Sequence, residues 1–481
     1  MYLIVLVASL LVFCAVTVAF LRSGYFSLFH PFTIYSMFHG LVFVVRPFFS
    51  YWLEYEAIYK AYQFVPSASD KITVILAVNL GFLSFAYFCF RHGAVPMRFG
   101  GGPAQVAERN LLVRYFPWVI AICAPMAIWS LMTSFSAASQ YTRFGISMDR
   151  ATGISHFTDG TGYFAEAQMM LVPLAALSAW LFRFRLVALA PLAMFVILRA
   201  GTGGRGPFVS ALFATGLLYL YEKRRRFPTL LVMSGLVAVT SLFSAVEIDR
   251  GQAVRALFGE QTDIRKVSDE KTRFMEGMDL GNLEFFEYIV YVVPQRSGTY
   301  GYFNDVLQLF TEPVPRALWP GKPLGAPFQS FSMFDYGFPI GYTRSLPGNG
   351  WFALGWLGVF ITCSAWGYVL GLIYRRFVEG PQNPYQVASY IILLSILIIA
   401  YRDGSLVTVF RQGIFVFAPV VVWMGIVRLS GRKLPNGFRR PLPRQEPAGR
   451  VRIGEAAALP PAVLRRRQAL LAAKRPEPEA G

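Results

Sequence analysis

The chain has 481 residues, of which 55% are hydrophobic, 16% aromatic and only 15% charged. Soluble domains carry about 25% charged residues, and apolar stretches near the roughly 20 residues that cross a bilayer recur along this sequence. The composition excludes an ordinary soluble domain and predicts an all-α polytopic membrane protein. The formal net charge is +18. Half of it lies in residues 428–481, where 13 Lys/Arg face 4 Asp/Glu.

Eleven apolar stretches have the length and composition of membrane helices. In chain order they are 2–21, 32–50, 72–90, 115–133, 164–182, 186–200, 207–221, 228–246, 351–373, 387–401 and 406–427. The first has no basic n-region and no small-residue cleavage site, so we expect it to remain as a helix. The four cysteines all lie inside apolar stretches, which argues against disulfides and against a zinc site.

The loops between these stretches alternate in charge. One set holds 13 Lys/Arg and three acidic residues, and the positive-inside rule assigns that set to the cytoplasm. The N-terminus is then outside and the C-terminus cytoplasmic. We therefore expect a membrane domain, 1–428, and a basic tail, 429–481, rich in Pro, Arg and Ala and disordered. Such a tail favours anionic lipid as its partner rather than nucleic acid, because it lacks aromatic residues that stack on bases.

One outer loop is much longer than the others. It covers 247–350, between the eighth and ninth predicted helices, and long loops without a function are uncommon. Apolar patterns predict an interfacial helix at 283–293 and a second short helix at 304–310. Its many Tyr, Phe and Trp side chains suit stacking on sugar rings, or alternatively anchoring at the membrane interface.

Arginines lie near the outer ends of several predicted helices. RAGTGGRGP (199–207) and YRDGS (401–405) are predicted tight outer turns, and Arg411 lies deeper in the last helix. Glycine lets backbone N–H groups approach an anion, and arginine binds phosphate oxygens bidentately. The alternative for any one of these arginines is that it extends to the lipid headgroups. Several arginines converging on one pocket would suit a pyrophosphate.

Sequence motifs of other enzyme classes are absent. The chain has no H-E-x-x-H, P-loop or G-x-S-x-G motif, and no D-x-D of a metal-dependent nucleotide-sugar transferase. The predicted cytoplasmic loops are too short for a nucleotide-binding domain. An enzyme of this kind would act on the outer face without metal or cofactor. Its donor would already be activated, as in a lipid-linked sugar diphosphate.

The segment TEPVPRALWPGKP (311–323) resembles the I-P-R-x-x-W-P-x-K-P segment of bacterial oligosaccharide repeat-unit polymerases, the Wzy-type O-antigen and exopolysaccharide polymerases. TGGRG (202–206) is similar to their S-R-G turn, and FALGWLGVF (352–360) to the segment that opens the helix after their large loop. The layout matches over 1–428, and the specific motifs cover some forty residues. PGNGW (347–351) departs from the family, because Asn349 stands where an acidic residue often precedes that helix.

The resemblance implies a multi-pass protein of the bacterial inner membrane. Such an enzyme joins undecaprenyl-pyrophosphate-linked oligosaccharide repeat units on the periplasmic face, with a flippase and a polysaccharide co-polymerase that regulates chain length as possible partners. The residues we expect to carry catalysis are Arg205, Arg402, Arg316 and Glu312, and those we expect to bind substrate are Lys322, Trp319, Arg199 and Arg411. Candidate general bases are Glu312, Asp335, Asp305, Glu287 and His156. A carboxylate among arginines has a lowered pKa, which favours a base set back from them.

Two other functions stay open. An O-antigen ligase also uses outer arginines and a large periplasmic loop, but it is expected to have a periplasmic histidine, and 247–350 contains none. A flippase or exporter of lipid-linked oligosaccharides would carry polar residues in many helices along a cavity through the membrane. The predicted helices here are nearly free of charge.

Overall fold

A computed structural model describes residues 1–100, 108–110, 112–136, 146–148, 155–157, 162–201, 206–228, 230, 273, 275–311, 313–314, 318–322, 327–328, 330–339 and 341–430. The first half contains α1 (Tyr2–Leu21), α2 (Pro31–His39), a π-helical segment (Gly40–Val45), α3 (Arg46–Trp52), α4 (Ala57–Tyr62), α5 (Ala68–Gly93), α6 (Phe116–Ser136), a 3-10 helix (Gly162–Met170), α7 (Leu171–Leu181), α8 (Leu186–Gly201) and α9 (Gly206–Glu222). The second half contains α10 (Asn282–Val292), α11 (Asn304–Thr311), α12 (Leu346–Glu379), α13 (Pro384–Asp403) and α14 (Leu406–Leu429), with short 3-10 turns at Met278–Leu280 and Met333–Asp335. Two short strands, Ile146–Met148 and Ser155–Phe157, pair antiparallel.

The protein is a helical membrane protein, as the sequence predicts. Helices occupy ten of the eleven predicted segments, and the remaining one, 228–246, lies outside the described residues except for 228 and 230. Six helices of the described part are long and apolar enough to cross a membrane: Tyr2–Leu21, Pro31–Trp52, Ala68–Gly93, Leu346–Glu379, Pro384–Asp403 and Leu406–Leu429. Eleven crossings and the orientation remain predictions. So does the disordered tail, which from residue 431 onward is also outside the described part.

Helix α12 is longer than the predicted span 351–373 and is broken near its start. It begins at Leu346, where the Ser345 side chain caps the helix by accepting from the Gly348 backbone N–H. Leu354 and Gly355 have non-helical backbone angles, and Gly355 has φ +57°, which favours glycine. The break frees the carbonyls of residues 352 and 353, which accept backbone hydrogen bonds of 2.8 and 3.0 Å from residues 301 and 302 of the outer loop.

Helices α5 and α12 form the central pair of the membrane domain. Gly367 and Gly371, one turn apart, bring the α12 backbone close to that of α5. A Cβ at Gly367 would lie 2.5 Å from the carbonyl oxygen of Phe85, and one at Gly371 would lie 2.9 Å from that of Cys89. Small residues four apart allow this kind of close helix packing in membranes.

Helix α10 forms where the sequence predicts an interfacial helix, but it is buried. All of its residues except Tyr291 are buried, and Phe285 stacks on Tyr62 with 5.5 Å between ring centroids. A helix that is buried on nearly all sides lies inside the protein rather than along a surface. The prediction of an interfacial position was therefore wrong for this helix.

A fully buried ion pair fixes α10 to the second membrane segment. Arg46 Nε lies 2.9 Å from Glu284 Oε2, and the two side chains are 0% and 1% exposed. The guanidinium also donates to the backbone carbonyls of Met275 and Glu276. Burying two charges is tolerable only with such further hydrogen bonds. Arg46 thus has a structural partner in the outer loop.

Candidate functional site: an arginine cluster beside an apolar cavity

The turn between α13 and α14 is packed against the start of α12. Arg402 and Asp403 belong to the last turn of α13, and Gly404 ends the helix with φ +68°. A Cβ at Gly404 would lie 2.0 Å from the Ser345 carbonyl oxygen. The Ser345 N–H in turn donates to the Arg402 carbonyl at 3.0 Å. The predicted arginine turn 401–405 is therefore held tightly by the residue that caps α12.

Asn282, the first residue of α10, contacts the same turn. Its side-chain amide donates to the Arg402 carbonyl at 2.8 Å and to the Thr343 hydroxyl at 2.9 Å. Asn282 is 0% exposed. No sequence pattern singled out this residue, because its partners lie far along the chain.

Arg344 is a cation that the sequence reasoning did not propose for the site. It forms an ion pair with Asp305 of α11, and its guanidinium carbon lies 3.8 Å from the centre of the Phe352 ring. Its Nη1 also donates to Asn349 Oδ1 at 3.3 Å. Burial opposes the charge, but Asp305, Tyr342 and Asp403 together outweigh this effect and raise the pKa of Arg344 above its usual value. Arg344 is therefore a permanent cation.

The Asp403 carboxylate interacts electrostatically with three arginines. It lies within electrostatic range of Arg411, Arg344 and Arg402. We call Arg344, Arg402 and Arg411 the arginine cluster. These residues come from the outer loop, α13 and α14, so the cluster forms only in the folded protein.

Arg199 and Arg411 each contact a residue of the same short segment. Arg411 Nη2 lies 3.2 Å from Glu166 Oε1, and Arg199 Nη1 donates to Gln168 Oε1. Both partners belong to the 3-10 helix Gly162–Met170. This helix therefore links the end of α8 to α14, with the predicted substrate-binding arginines on either side.

An apolar cavity of about 390 Å³ lies beside the cluster. Its lining residues come from α11 and the residue before it, from α12, and from the turn between α13 and α14 with the first residue of α14: Phe303, Asp305, Val306, Asn349, Phe352, Ala353, Ile361, Thr362, Ala365, Trp366, Val369, Gly404 and Leu406. Asp305 and Asn349, both bonded to Arg344, form its polar end. Ile361 and Val369, about two turns apart on a candidate membrane span, are 42% and 48% exposed. The apolar end is therefore next to exposed residues of α12.

The proline-rich segment is described in part. The Lys322 ammonium donates to the Val314 carbonyl at 3.1 Å, and the Lys322 N–H donates to the Trp319 carbonyl at 3.0 Å. Trp319 is 39% exposed. These contacts make the segment a turn, as its prolines predict. Arg205, Arg316 and Glu312 lie outside the described residues, as does the side chain of His156, so their roles stay predictions.

The remaining candidate bases have different surroundings. Asp335 accepts from the Ser332 N–H and caps a 3-10 turn. Glu287 is buried in α10, and Tyr59 donates to its Oε2 at 2.6 Å. Burial is the main cause that raises the pKa of Glu287 to about 7, with the nearby Glu284 carboxylate adding to it and Lys71 opposing it.

Among the described residues, no group of three or more His, Cys, Asp or Glu side chains has an arrangement that could hold a metal ion. In comparisons with protein-family models, with curated proteins and with solved structures, the chain gave no match.

Proposed function

We propose that the protein is a lipid-linked glycan polymerase of the bacterial inner membrane. It would move a growing glycan from undecaprenyl pyrophosphate onto a hydroxyl of the next lipid-linked repeat unit. The observation that carries this proposal is the arginine cluster beside an apolar cavity at the outer ends of α12, α13 and α14. A substrate with an anionic head and a hydrocarbon chain is complementary to both parts.

The reaction has two chemical requirements, and the first is stabilisation of the leaving group. The acceptor oxygen bonds to the anomeric carbon of the donor sugar while the bond from that carbon to the pyrophosphate breaks, so negative charge develops on the leaving group. Arg402, and Arg205 and Arg316 as predicted from the sequence, are the cations we assign to this charge. Each contact to a phosphate oxygen contributes on the order of 1.5–3 kcal/mol.

The second requirement is a group that accepts the proton of the acceptor hydroxyl. Asp305 lines the cavity, but its carboxylate is engaged in the ion pair with Arg344. Glu287 has a pKa near neutrality but is enclosed in α10. Glu312, next to the proline-rich segment, stays the sequence-based assignment.

The test is chain length in the native host. Arg402→Ala and Arg205→Ala should abolish long-chain polysaccharide and leave single repeat units at the cell surface. The control is Arg296→Ala, since Arg296 is exposed and stacks on Tyr291 in the outer loop. Full-length polymer retained on its lipid carrier would indicate a ligase instead, and loss of all outer glycan would indicate a flippase. Normal chain lengths in both mutants would contradict the proposal.

A further inference from the structure

The contact between Arg344 and Asp305 closes the polar end of the cavity. Asp305 is the carboxylate that lines the cavity in the described part of the chain, and it occupies the place beside Arg344 where an external anion would bind. The two side chains are 17% and 21% exposed, so a ligand can reach both. The two oxygens of a carboxylate in that position accept from the guanidinium as two oxygens of a phosphate would.

The two partners differ in how firmly they are held. Arg344 precedes Ser345, which is 0% exposed and bonded to the Arg402 carbonyl, and its guanidinium also contacts Phe352 and Asn349. Asp305 lies on α11, an eight-residue helix with no buried residue. Losing Asp305 therefore leaves Arg344 in place, whereas α11 can move at little cost in buried surface.

The apolar part of the cavity fits one hydrocarbon chain. Its volume of about 390 Å³ is at the small end for ligand pockets, and its walls carry Phe352, Ala365 and Trp366. The exposed Ile361 and Val369 leave it open to the side of a candidate membrane span. A lipid with a single chain can enter from there, while a phospholipid brings a second chain that this volume does not hold.

We infer that this cavity binds the chain of a single-chain isoprenyl phosphate lipid, whose phosphate displaces Asp305 from Arg344. The choice of an isoprenyl lipid rests on the proposed function, while the cavity and the ion pair do not. Asp305 acts as a competitor that keeps the site closed until a phosphate arrives. No bond is made or broken in this step.

The experiment measures binding of farnesyl phosphate to the detergent-solubilised full-length protein by native mass spectrometry. Asp305→Asn removes the competing charge and should tighten binding several-fold, while Arg344→Gln should weaken it at least tenfold. Arg344→Lys keeps the charge without the bidentate geometry and should give an intermediate value. Arg296→Gln, an arginine stacked on Tyr291 at 3.3 Å, is the matched control and should bind like the native protein.

Two further binding measurements test whether the cavity holds the hydrocarbon chain and which class of lipid it prefers. Ala365→Phe narrows the cavity and should weaken both farnesyl phosphate and neutral farnesol. Phosphatidylglycerol should compete poorly. Unchanged or weaker binding in Asp305→Asn, unchanged binding in Ala365→Phe, or a preference for phosphatidylglycerol would each overturn the inference. The thermal unfolding midpoint of each variant is measured as a control for misfolding. A positive result together with normal polysaccharide in the arginine mutants would reject the proposed function and leave the lipid site standing.

Discussion

The side-chain amide of Asn282 donates a 2.8 Å hydrogen bond to the backbone carbonyl of Arg402, 120 residues further along the chain. Through this bond, the first residue of α10 fixes the end of α13, where one member of the arginine cluster lies. Asn282 also holds Thr343, next to Arg344. One buried amide therefore sets the relative position of two segments that carry site arginines.

Replacing Asn282 should uncouple these segments. Asn282→Ala removes the donor to Thr343 and one of two donors to the Arg402 carbonyl, which keeps its bond from the Ser345 N–H. Each lost hydrogen bond costs about 0.5–1.5 kcal/mol. Asn282→Asp keeps the size but replaces the donor with an acceptor, so it should be at least as damaging. Both variants should lower the thermal midpoint and shorten the polysaccharide made in the host. Native midpoints in both would show that the hydrogen bond carries little free energy.

Glycine substitutions separate the packed turn from an open helix position. At Gly404 the positive φ and the nearby Ser345 carbonyl both oppose a side chain, so Gly404→Ala should destabilise the protein by more than about 1 kcal/mol. Gly413→Ala, nine residues later in α14, meets no atom within 4 Å. It should be neutral or stabilising, because alanine is the better helix former by about 1 kcal/mol. Equal midpoints for the two variants would contradict the packing described for this turn.

The stability of the protein should depend on the protonation of Glu287. Its pKa is about 7 in the folded protein against a usual 4.5, so the native state binds more protons between these values. The free energy of unfolding then falls as pH rises from about 4.5 to about 7. Glu287→Gln removes this loss and should raise the thermal midpoint at pH 8, with the gain vanishing at low pH.

The control for that experiment is the neighbouring carboxylate. Glu284→Gln breaks the buried pair with Arg46 and should lower stability at pH 8 by about 3–5 kcal/mol. If the two Gln variants shift the midpoint in the same direction at pH 8, the assignment of Glu287 as the poorly compensated carboxylate is wrong.

A charge swap distinguishes the structural and the substrate-binding roles of Arg411. Arg411 faces Glu166 at 3.2 Å, and reversing either charge alone should destabilise the contact between α14 and the 3-10 helix. The double variant Arg411→Glu with Glu166→Arg should recover the thermal midpoint. Long-chain polysaccharide should stay absent if Arg411 contacts the anionic substrate. Its full recovery would assign Arg411 a structural role alone.

The sequence predicts the membrane helices well because bilayer crossing demands long apolar runs, and these are visible without knowledge of the fold. It predicts less of the site. Arg344 belongs to the site through its ion pair with Asp305, which is 39 residues away, and its contact with the Phe352 ring. Arg46 lies in the predicted helix 32–50, but its partner Glu284 is 238 residues away. Such pairings follow from tertiary packing, which a single sequence does not contain.

The helix at 282–292 illustrates a second limit. Its apolar residues predict a helix correctly, but an apolar helix in an outer loop is equally compatible with the membrane interface and with the protein interior. The choice depends on whether α4, α5 and α12 leave room for it, as they do. The arginine turn 401–405 was placed near its true position because Gly404 ends a helix in a way that is visible in the sequence.

The break in α12 has a consequence for how the outer loop can diverge. Residues 301 and 302 are attached to α12 through main-chain hydrogen bonds to the carbonyls of residues 352 and 353. Main-chain bonds do not depend on side-chain identity, although Gly301 itself must stay small, because a Cβ there would lie 2.2 Å from the Phe352 ring. The segment that follows can therefore exchange its side chains while its point of attachment is preserved. A scaffold of this kind allows the loop to change its surface chemistry without any change in the membrane domain.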